Sequence, residues 1–444
     1  MAGQNNSGSP RLKVWKAVTY VKDAEAKAGE QCGLRGWVYR KRESGGIIFI
    51  IVRDRSGTMQ AAIKKDKVNE QAWKAANDAS IESSIEVRGT VKKDSRSPTG
   101  FELEAEDFKL IHASEPFPIT EYQSPELLLD YRHLWLRSQR MTKIMMARAY
   151  IFRYAREFMD KNGFFEISPP LITKAGGETG SSLFAVDYFG EKAFLTESSQ
   201  LYAEAMIYSL QKVYSFAPSY RAEKSRTVKH LAEYWHLEPE AAYFDLYDDM
   251  KFQEKLVSSI ARKLAKEHED ILKFFNVEQS TLLGIRPPFP KITYERAIEI
   301  LNEKGSKLKW GDDFGVEEER LLTEGQKKPI FVHHWPREIK AFYMPDDPKD
   351  PRTVKCADML APQGHGEIIG GSERIWKLDE LLEKIKMFGL NVDNYKWYID
   401  LRRYGSVPHA GFGMGMERVI KWLLSLDHIR DAIPFPRVIN RVEP

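Results

Sequence analysis

Cysteine is almost missing from this chain: there are two in 444 residues, Cys32 and Cys356. Two thiols cannot build a disulfide framework or a thiolate zinc site, and their scarcity fits a reducing, cytoplasmic setting. Long apolar runs are missing too. The longest spans Ile47 to Val52, far short of the ~20 residues that cross a bilayer, so no membrane-spanning helix is expected. The opening stretch MAGQNNSGSP is polar, rich in Gly and Ser, and lacks the apolar core of a signal peptide. It reads as the start of a partly disordered tail over residues 1–30. A dominant charge is also absent, the net being +3. The distribution is uneven, because residues 1–115 hold 20 Lys/Arg against 16 Asp/Glu. A basic front on a near-neutral body points to a polyanionic partner met by one part of the chain.

What is present divides in two. From residue 31 to 112, five short runs rich in β-branched and aromatic residues (GLRGWVYR, GIIFIIVRD, TMQAAIK, SSIEVRGTV, FELEAEDFKLI) are separated by turn chemistry. A helical stretch, NEQAWKAANDA, lies between the third and fourth. That order is the order of an OB-fold barrel, a fold that stacks single-stranded bases on aromatics over a basic groove. Trp37, Tyr39 and Phe49 are the candidate aromatics, with Arg40, Arg53 and Arg55 as basic neighbours. Phe49, inside IIFII, reads equally as core.

Residues 113–138 contain prolines that break any long element and read as a linker. In the remainder, 139–444, an amphipathic helix over 142–162 ends at Gly163. FFEISPPLIT follows, a strand that its double proline demotes to an edge or an interface. KVYSFAPSYRAE and EYWHLEPEAAYFD read as an antiparallel pair, GEIIGGSERI as another strand, and 249–275 and 377–388 as helices. The segment PHAGFGMGMERVIKWLL runs from a glycine-rich strand into a helix with an apolar face of Met416, Val419, Ile420, Leu423 and Leu424. Strands and helices do not alternate regularly, so the fold class is α+β rather than parallel α/β.

The order of these pieces, together with FLTESSQLYAEAM, SYRAEKSRTVKHLAEYWHLEPE, GEIIGGSERI, PHAGFGMGMER and HIRDAIPFPR, resembles the class II aminoacyl-tRNA synthetases. It is most similar to the asparaginyl-tRNA synthetases of archaeal/eukaryotic type, within the aspartyl/asparaginyl subgroup. The resemblance covers essentially 31–444. It implies a catalytic domain built on a mainly antiparallel sheet flanked by helices. It also implies ATP and L-asparagine as substrates, Mg2+, tRNA(Asn) as partner, and a homodimer. Neither aminoacyl-adenylate formation nor transfer to the terminal adenosine needs a protein nucleophile. What both need is positioning and charge stabilisation.

Residue by residue, the resemblance implies that Arg221 binds the α-phosphate and the substrate carboxylate, and that Arg418 closes over the adenine, with Gly415 beside it. Glu223 would read the adenine amino group, Tyr234 stack on the ring and His230 approach the phosphates, although Lys229 stands where an arginine is expected. Glu367 and Asp358 would hold the metal; Gly370 replaces a serine that assists in aspartyl relatives. Ser198, Gln200 and Glu178 would orient the α-amino group, while Arg374 and Glu238 would read the side-chain amide. Ala203 removes a lysine that aspartyl enzymes use, and Glu238 would repel a substrate carboxylate. Phe49, Arg40, Gln60 and Glu82 are the implied anticodon contacts, and Pro170 the implied mark of a two-fold interface. Three rival readings stay open from the residues alone. They are an aspartyl-tRNA synthetase, a tRNA-independent asparagine synthetase, and a non-catalytic nucleic-acid-binding regulator.

Overall fold

The computed structural model describes residues 18–97, 99–120, 123–174, 183–223 and 230–444. The chain divides into two compact units between Leu134 and Trp135.

In the first unit, five strands close into a barrel: β1 (Gln31–Ser44), β2 (Ile47–Asp54), β3 (Gly57–Lys64), β4 (Ser84–Lys93) and β5 (Phe101–His112), in the order β1-β2-β3-β5-β4. The helix Glu70–Asp78 lies between β3 and β4 in the chain, capped by Asn69, whose side chain accepts from the Ala72 amide. Alternation along β2 sends Ile48, Ile50 and Val52 into the barrel core, while Ile47, Phe49 and Ile51 face out. Phe49 is therefore not a core residue. The expectation of a tail to residue 30 is corrected from Val18 onward. Val21–Ala24 forms a helical turn whose Val21 and Ala24 are buried in the barrel core, and the Val21 amide donates to Asp54 Oδ2 at 2.8 Å.

In the second unit, eight strands form one sheet. In spatial order they are Lys291–Thr293, Ile330–His333, Cys356–Ala361, Gly366–Arg374, His409–Gly415, Glu233–Ala242, Lys212–Tyr220 and Phe165–Ile167. Pairing is antiparallel except for the outermost pair at each end. Phe165–Ile167, just before the double proline, is an edge strand, as a segment that cannot extend its ladder must be. One face of the sheet is apolar and packs against the helices Gln139–Lys161, Leu246–Glu267 and Met416–Leu423. Met416, Val419, Ile420 and Leu423 are almost wholly buried there, each stabilising the fold by about 1.5–3 kcal/mol. The first of these helices starts at its Ser138 cap and stops before Gly163, which takes a left-handed φ of 76°. The opposite face of the sheet carries the polar side chains.

Candidate active site

Period-2 alternation builds the site. Along Glu233–Ala242, Tyr234, His236, Glu238 and Glu240 face a cleft, while Leu237 joins the core behind. On the neighbouring strand Gly413 and Gly415 line the cleft, with Gly415 paired to His236 and Gly411 to Glu240, whereas Phe412 and Met414 enter the core. The floor thus carries no side chains where the backbone must be reached. Gly411 is held for a different reason. A Cβ there would lie 2.2 Å from Glu240 Oε2 and 2.3 Å from the Pro239 carbonyl oxygen, so it allows close strand packing rather than ligand approach.

The cleft comprises two adjoining cavities, of about 120 and 180 Å³. Arg221, His236, Glu367 and Gly413 line both. The smaller adds His230, Tyr234, Gly415 and Arg418. The larger adds Ser198, Gln200, Glu238, Asp358 and Arg374. The structure thus brings the implied nucleotide residues to one end and the implied amino-acid residues to the other. Glu223 is an exception: it is exposed and lines neither cavity. Glu178 and Lys229 lie outside the described residues.

At the nucleotide end, Arg418 sits in the first turn of its helix and donates Nη1 to the Glu367 carbonyl oxygen at 3.0 Å, with Glu367 Oε2 at 3.5 Å. That helix is anchored by a residue the sequence reading passed over. Glu417 accepts from Arg148 Nη1 at 2.6 Å and from the Trp235 amide at 2.9 Å. The Arg221 guanidinium lies 5.9 Å from the Tyr234 ring, and its charge is reinforced by Tyr234, Glu367, Glu197 and Glu223. It forms no ion pair with any described residue, which leaves its fork of donors for a ligand.

The metal question turns on Glu367 and Asp358. A Cβ at Gly370 would stand 3.3 Å from Glu367 Oε1 and 3.5 Å from Asp358 Oδ1, so the two carboxylates converge on one point. They are hard oxygen donors of the kind Mg2+ takes. Burial raises the Asp358 carboxyl, with Glu367 pushing the same way and Lys340 opposing, as two acids sharing a site should. Burial also acts against Glu367, but Arg418, Lys340 and Arg221 outweigh it and hold its carboxyl below the ordinary value. Lys340 Nζ lies 2.6 Å from Asp358 Oδ2. Sequence reading assigned Lys340 no role, because its partner lies on Cys356–Ala361, a strand the residue pattern did not reveal.

At the amino-acid end, the Ser199 amide donates to Glu238 Oε2 at 2.9 Å and the Ser199 hydroxyl at 2.6 Å, while the Ser198 hydroxyl donates to Oε1. Three donors leave roughly one of the carboxylate's four lone-pair sites open. Ser198, expected to meet the α-amino group, gives its proton to Glu238, which leaves its oxygen to accept. Arg374 is held by Glu240 (Nε to Oε1 3.0 Å, Nη2 to Oε2 3.1 Å) and donates Nη1 to Ser372 at 2.7 Å. Two of its five N–H groups stay available. Glu240 was legible in LEPE, since it shares the strand face of Glu238.

The barrel carries its own polar face. Register places Phe49 opposite Arg42 and Ala62, Arg40 opposite Ile51, and Gln60 opposite Ile51. Arg42 covers the Phe49 ring at 4.5 Å, a stacking place where a base could substitute. Gln60 donates to Glu102 at 2.6 Å, and Glu82 grips Arg53 through both oxygens at 2.6 and 2.9 Å. Gln60 and Glu82 are buried, so both already have protein partners. Pro170 is exposed and lines a groove with Ile172 and Tyr188.

Residues 124–439 match the family described as tRNA synthetases class II (D, K and N), and residues 34–111 match an OB-fold nucleic acid binding domain. An asparagine–tRNA ligase of Thermoplasma acidophilum is 47% identical over 95% of this chain and 98% of its own. Another, from Thermococcus gammatolerans, is 49% identical over 94% and 96%. The crystal structure of asparaginyl-tRNA synthetase from Pyrococcus horikoshii complexed with asparaginyl-adenylate superposes with a TM-score of 0.94 at 46% identity, covering 97% of this chain and all of that one. With its barrel, its antiparallel sheet and its two-ended cleft, the chain belongs to the asparagine–tRNA ligases of the class II tRNA synthetases.

Proposed function

We propose that the cleft performs both steps of asparagine–tRNA ligation by holding reactants, with no protein nucleophile. The asparagine carboxylate forms a bond to the α-phosphorus of ATP as the bond to pyrophosphate breaks. The terminal adenosine of tRNA(Asn) then takes the acyl group and AMP leaves. Arg221 binds the carboxylate and the α-phosphate together. Tyr234 and Arg418 flank the adenine, Gly415 lets it approach, and His230 meets the phosphates; Glu223 and Glu178 complete the two ends from the rim. Arg374 donates to the side-chain carbonyl of asparagine, and Glu238 accepts from its amide nitrogen. Gln200 takes the α-ammonium. Aspartate would set a carboxylate against Glu238 and is refused. Glu367 and Asp358 would hold Mg2+, which when bound supplies charge neutralisation to the phosphates.

The observation that carries this reading is that Arg221 and Glu367 stand where the two cavities meet. One guanidinium there reaches the reacting atoms of both substrates, and a donor aimed at developing charge contributes about 2.7–4 kcal/mol. Arg221→Ala is therefore expected to slow asparagine-dependent ATP–pyrophosphate exchange about 100- to 1,000-fold; a loss under tenfold would remove Arg221 from the centre of the mechanism.

The remaining assignments follow from placement. The barrel, residues 31–112, meets the anticodon through Phe49 and Arg40, with Gln60 and Glu82 as base readers, while 139–444 does the chemistry and 113–138 links them. A homodimer forms about the Pro170 region. It is supported by the edge strand bearing Phe165, 57% exposed, and by the apolar groove of Pro170, Ile172 and Tyr188. A cytoplasmic setting is supported by Cys32 and Cys356, both buried and unpaired. Among the described residues no helix is long and apolar enough to cross a membrane.

A further inference from the structure

Beneath the amino-acid end of the cleft lies a second layer of charge that touches neither substrate. Glu204 stands one helical turn beyond Gln200 and is wholly buried. Its carboxylate accepts from Gln200 Nε2 at 3.0 Å, from the Tyr398 hydroxyl at 2.8 Å, from His409 Nε2 at 2.9 Å, and from Arg402 Nη2. The other nitrogen of His409 lies 2.7 Å from the Val407 carbonyl oxygen. Both ring nitrogens thus face groups that only accept. Arg402 also donates Nε to the Ile375 carbonyl oxygen at 2.8 Å. Ligand atoms of Glu204, Glu240 and His409 all lie within 4.8 Å of one another, and Glu240 is the residue that holds Arg374.

The two arginines of this layer are each held by a buried carboxylate, Arg374 by Glu240 and Arg402 by Glu204. Asparagine brings a neutral side chain to these closed pairs, whereas aspartate would add an uncompensated negative charge beside Glu238. Without Glu204 the same pocket would hold a surplus cation one layer below Arg374.

We propose that Glu204 is a positioning residue that sets the preference for an amide over a carboxylate side chain. It does so by offsetting the charge of Arg402, while Glu240 balances Arg374, the cation offered to the substrate side chain. It also fixes Gln200. A carboxylate can only accept, so Glu204 draws the amide nitrogen of Gln200 and leaves that residue's oxygen to receive the substrate α-ammonium. The inference rests on reading this end of the cleft as the asparagine pocket.

The test is the ratio of the inhibition constant of aspartate, as competitor in asparagine-dependent pyrophosphate exchange, to the KM of asparagine. Glu204→Gln removes the compensating charge and lets the Gln200 amide turn. The expected result is a fall in that ratio of at least tenfold, with asparagine's KM rising more than its kcat falls. Arg402→Gln removes a cation instead, and is expected to raise the ratio at least threefold; it decides the matter alone if Glu204→Gln does not fold. Glu238→Gln is the control for the pocket. If Glu238→Gln lowers the ratio but neither of the other variants moves it, Glu204 is purely structural and the proposal falls. If Glu238→Gln leaves the ratio unchanged, the assignment of the pocket itself is wrong and the proposal falls with it.

Discussion

Tyr234 lines the nucleotide end with a hydroxyl that is buried and finds no hydrogen-bond partner among the described residues. Burial pushes its phenol up to about 12, with Arg221 pulling the other way. An unsatisfied buried hydroxyl costs about 1–3 kcal/mol, yet the stacking role needs only the ring. Tyr234→Phe should therefore raise stability by about 1 kcal/mol in urea unfolding and leave the KM for ATP within twofold, whereas Tyr234→Ala should raise that KM about tenfold. A tenfold rise in Tyr234→Phe would instead make the hydroxyl a ligand group. Single residues of this kind were readable from sequence only where a motif carried them. Arg221, Glu367 and Arg418 came with their motifs, and the structure sets all three in one cleft. Lys340, Glu417 and Glu204 were not readable in that way, since each acts through a partner 18 to 269 positions distant that only the fold brings near.

At the scale of the element, strand β2 shows why IIFII was ambiguous. Both of its faces are apolar, so periodicity could not say which side Phe49 takes; the barrel decides, placing it outward under Arg42. Stacking of a base on such a ring contributes about 1–3 kcal/mol. Phe49→Ala should weaken tRNA binding in filter or fluorescence titration by about five- to 100-fold and leave tRNA-independent exchange unaltered; unchanged tRNA affinity would take Phe49 out of the anticodon site. The helix Leu246–Glu267 hides a different feature. Asp249 is buried beside Gln253, whose Nε2 lies 2.7 Å from Oδ2, and burial pushes its carboxyl up to about 8. Between the ordinary value of 3.8 and about 8 the unfolded chain is ionised while the folded chain keeps the proton. The folded state then binds more protons, so this residue's contribution to stability declines as pH rises. Asp249→Asn should be nearly neutral in urea unfolding at pH 4 and stabilising by a few kcal/mol, on the order of one to four, at pH 8. Equal effects at both values would contradict the buried protonated acid. The barrel strands were legible because turn residues separate them. The stretch from 276 to 365 was not, because its strands Ile330–His333 and Cys356–Ala361 are short and buried, with no polar alternation to mark them.

For the whole molecule, the α+β class followed from the irregular alternation of strands and helices, and the antiparallel centre of the eight-stranded sheet agrees with it. The division between Leu134 and Trp135 falls inside the stretch read as a linker. If the groove at Pro170 is a two-fold interface, sedimentation equilibrium will give twice the chain mass of 51.3 kDa, and charged substitutions at Ile172 and Phe165 together will give the single mass; a monomer in the unaltered protein would exclude the dimer. The central claim concerns the cleft, where an amino-acid pocket built on Glu238 and Arg374 adjoins a nucleotide site through Arg221 and Glu367. Its most direct measurement is ATP–pyrophosphate exchange with magnesium, comparing asparagine with aspartate as the sole amino acid. Exchange with asparagine at least ~100-fold more efficient than with aspartate is the predicted result. Equal or better exchange with aspartate would contradict the roles given to Glu238, Arg374 and Glu204.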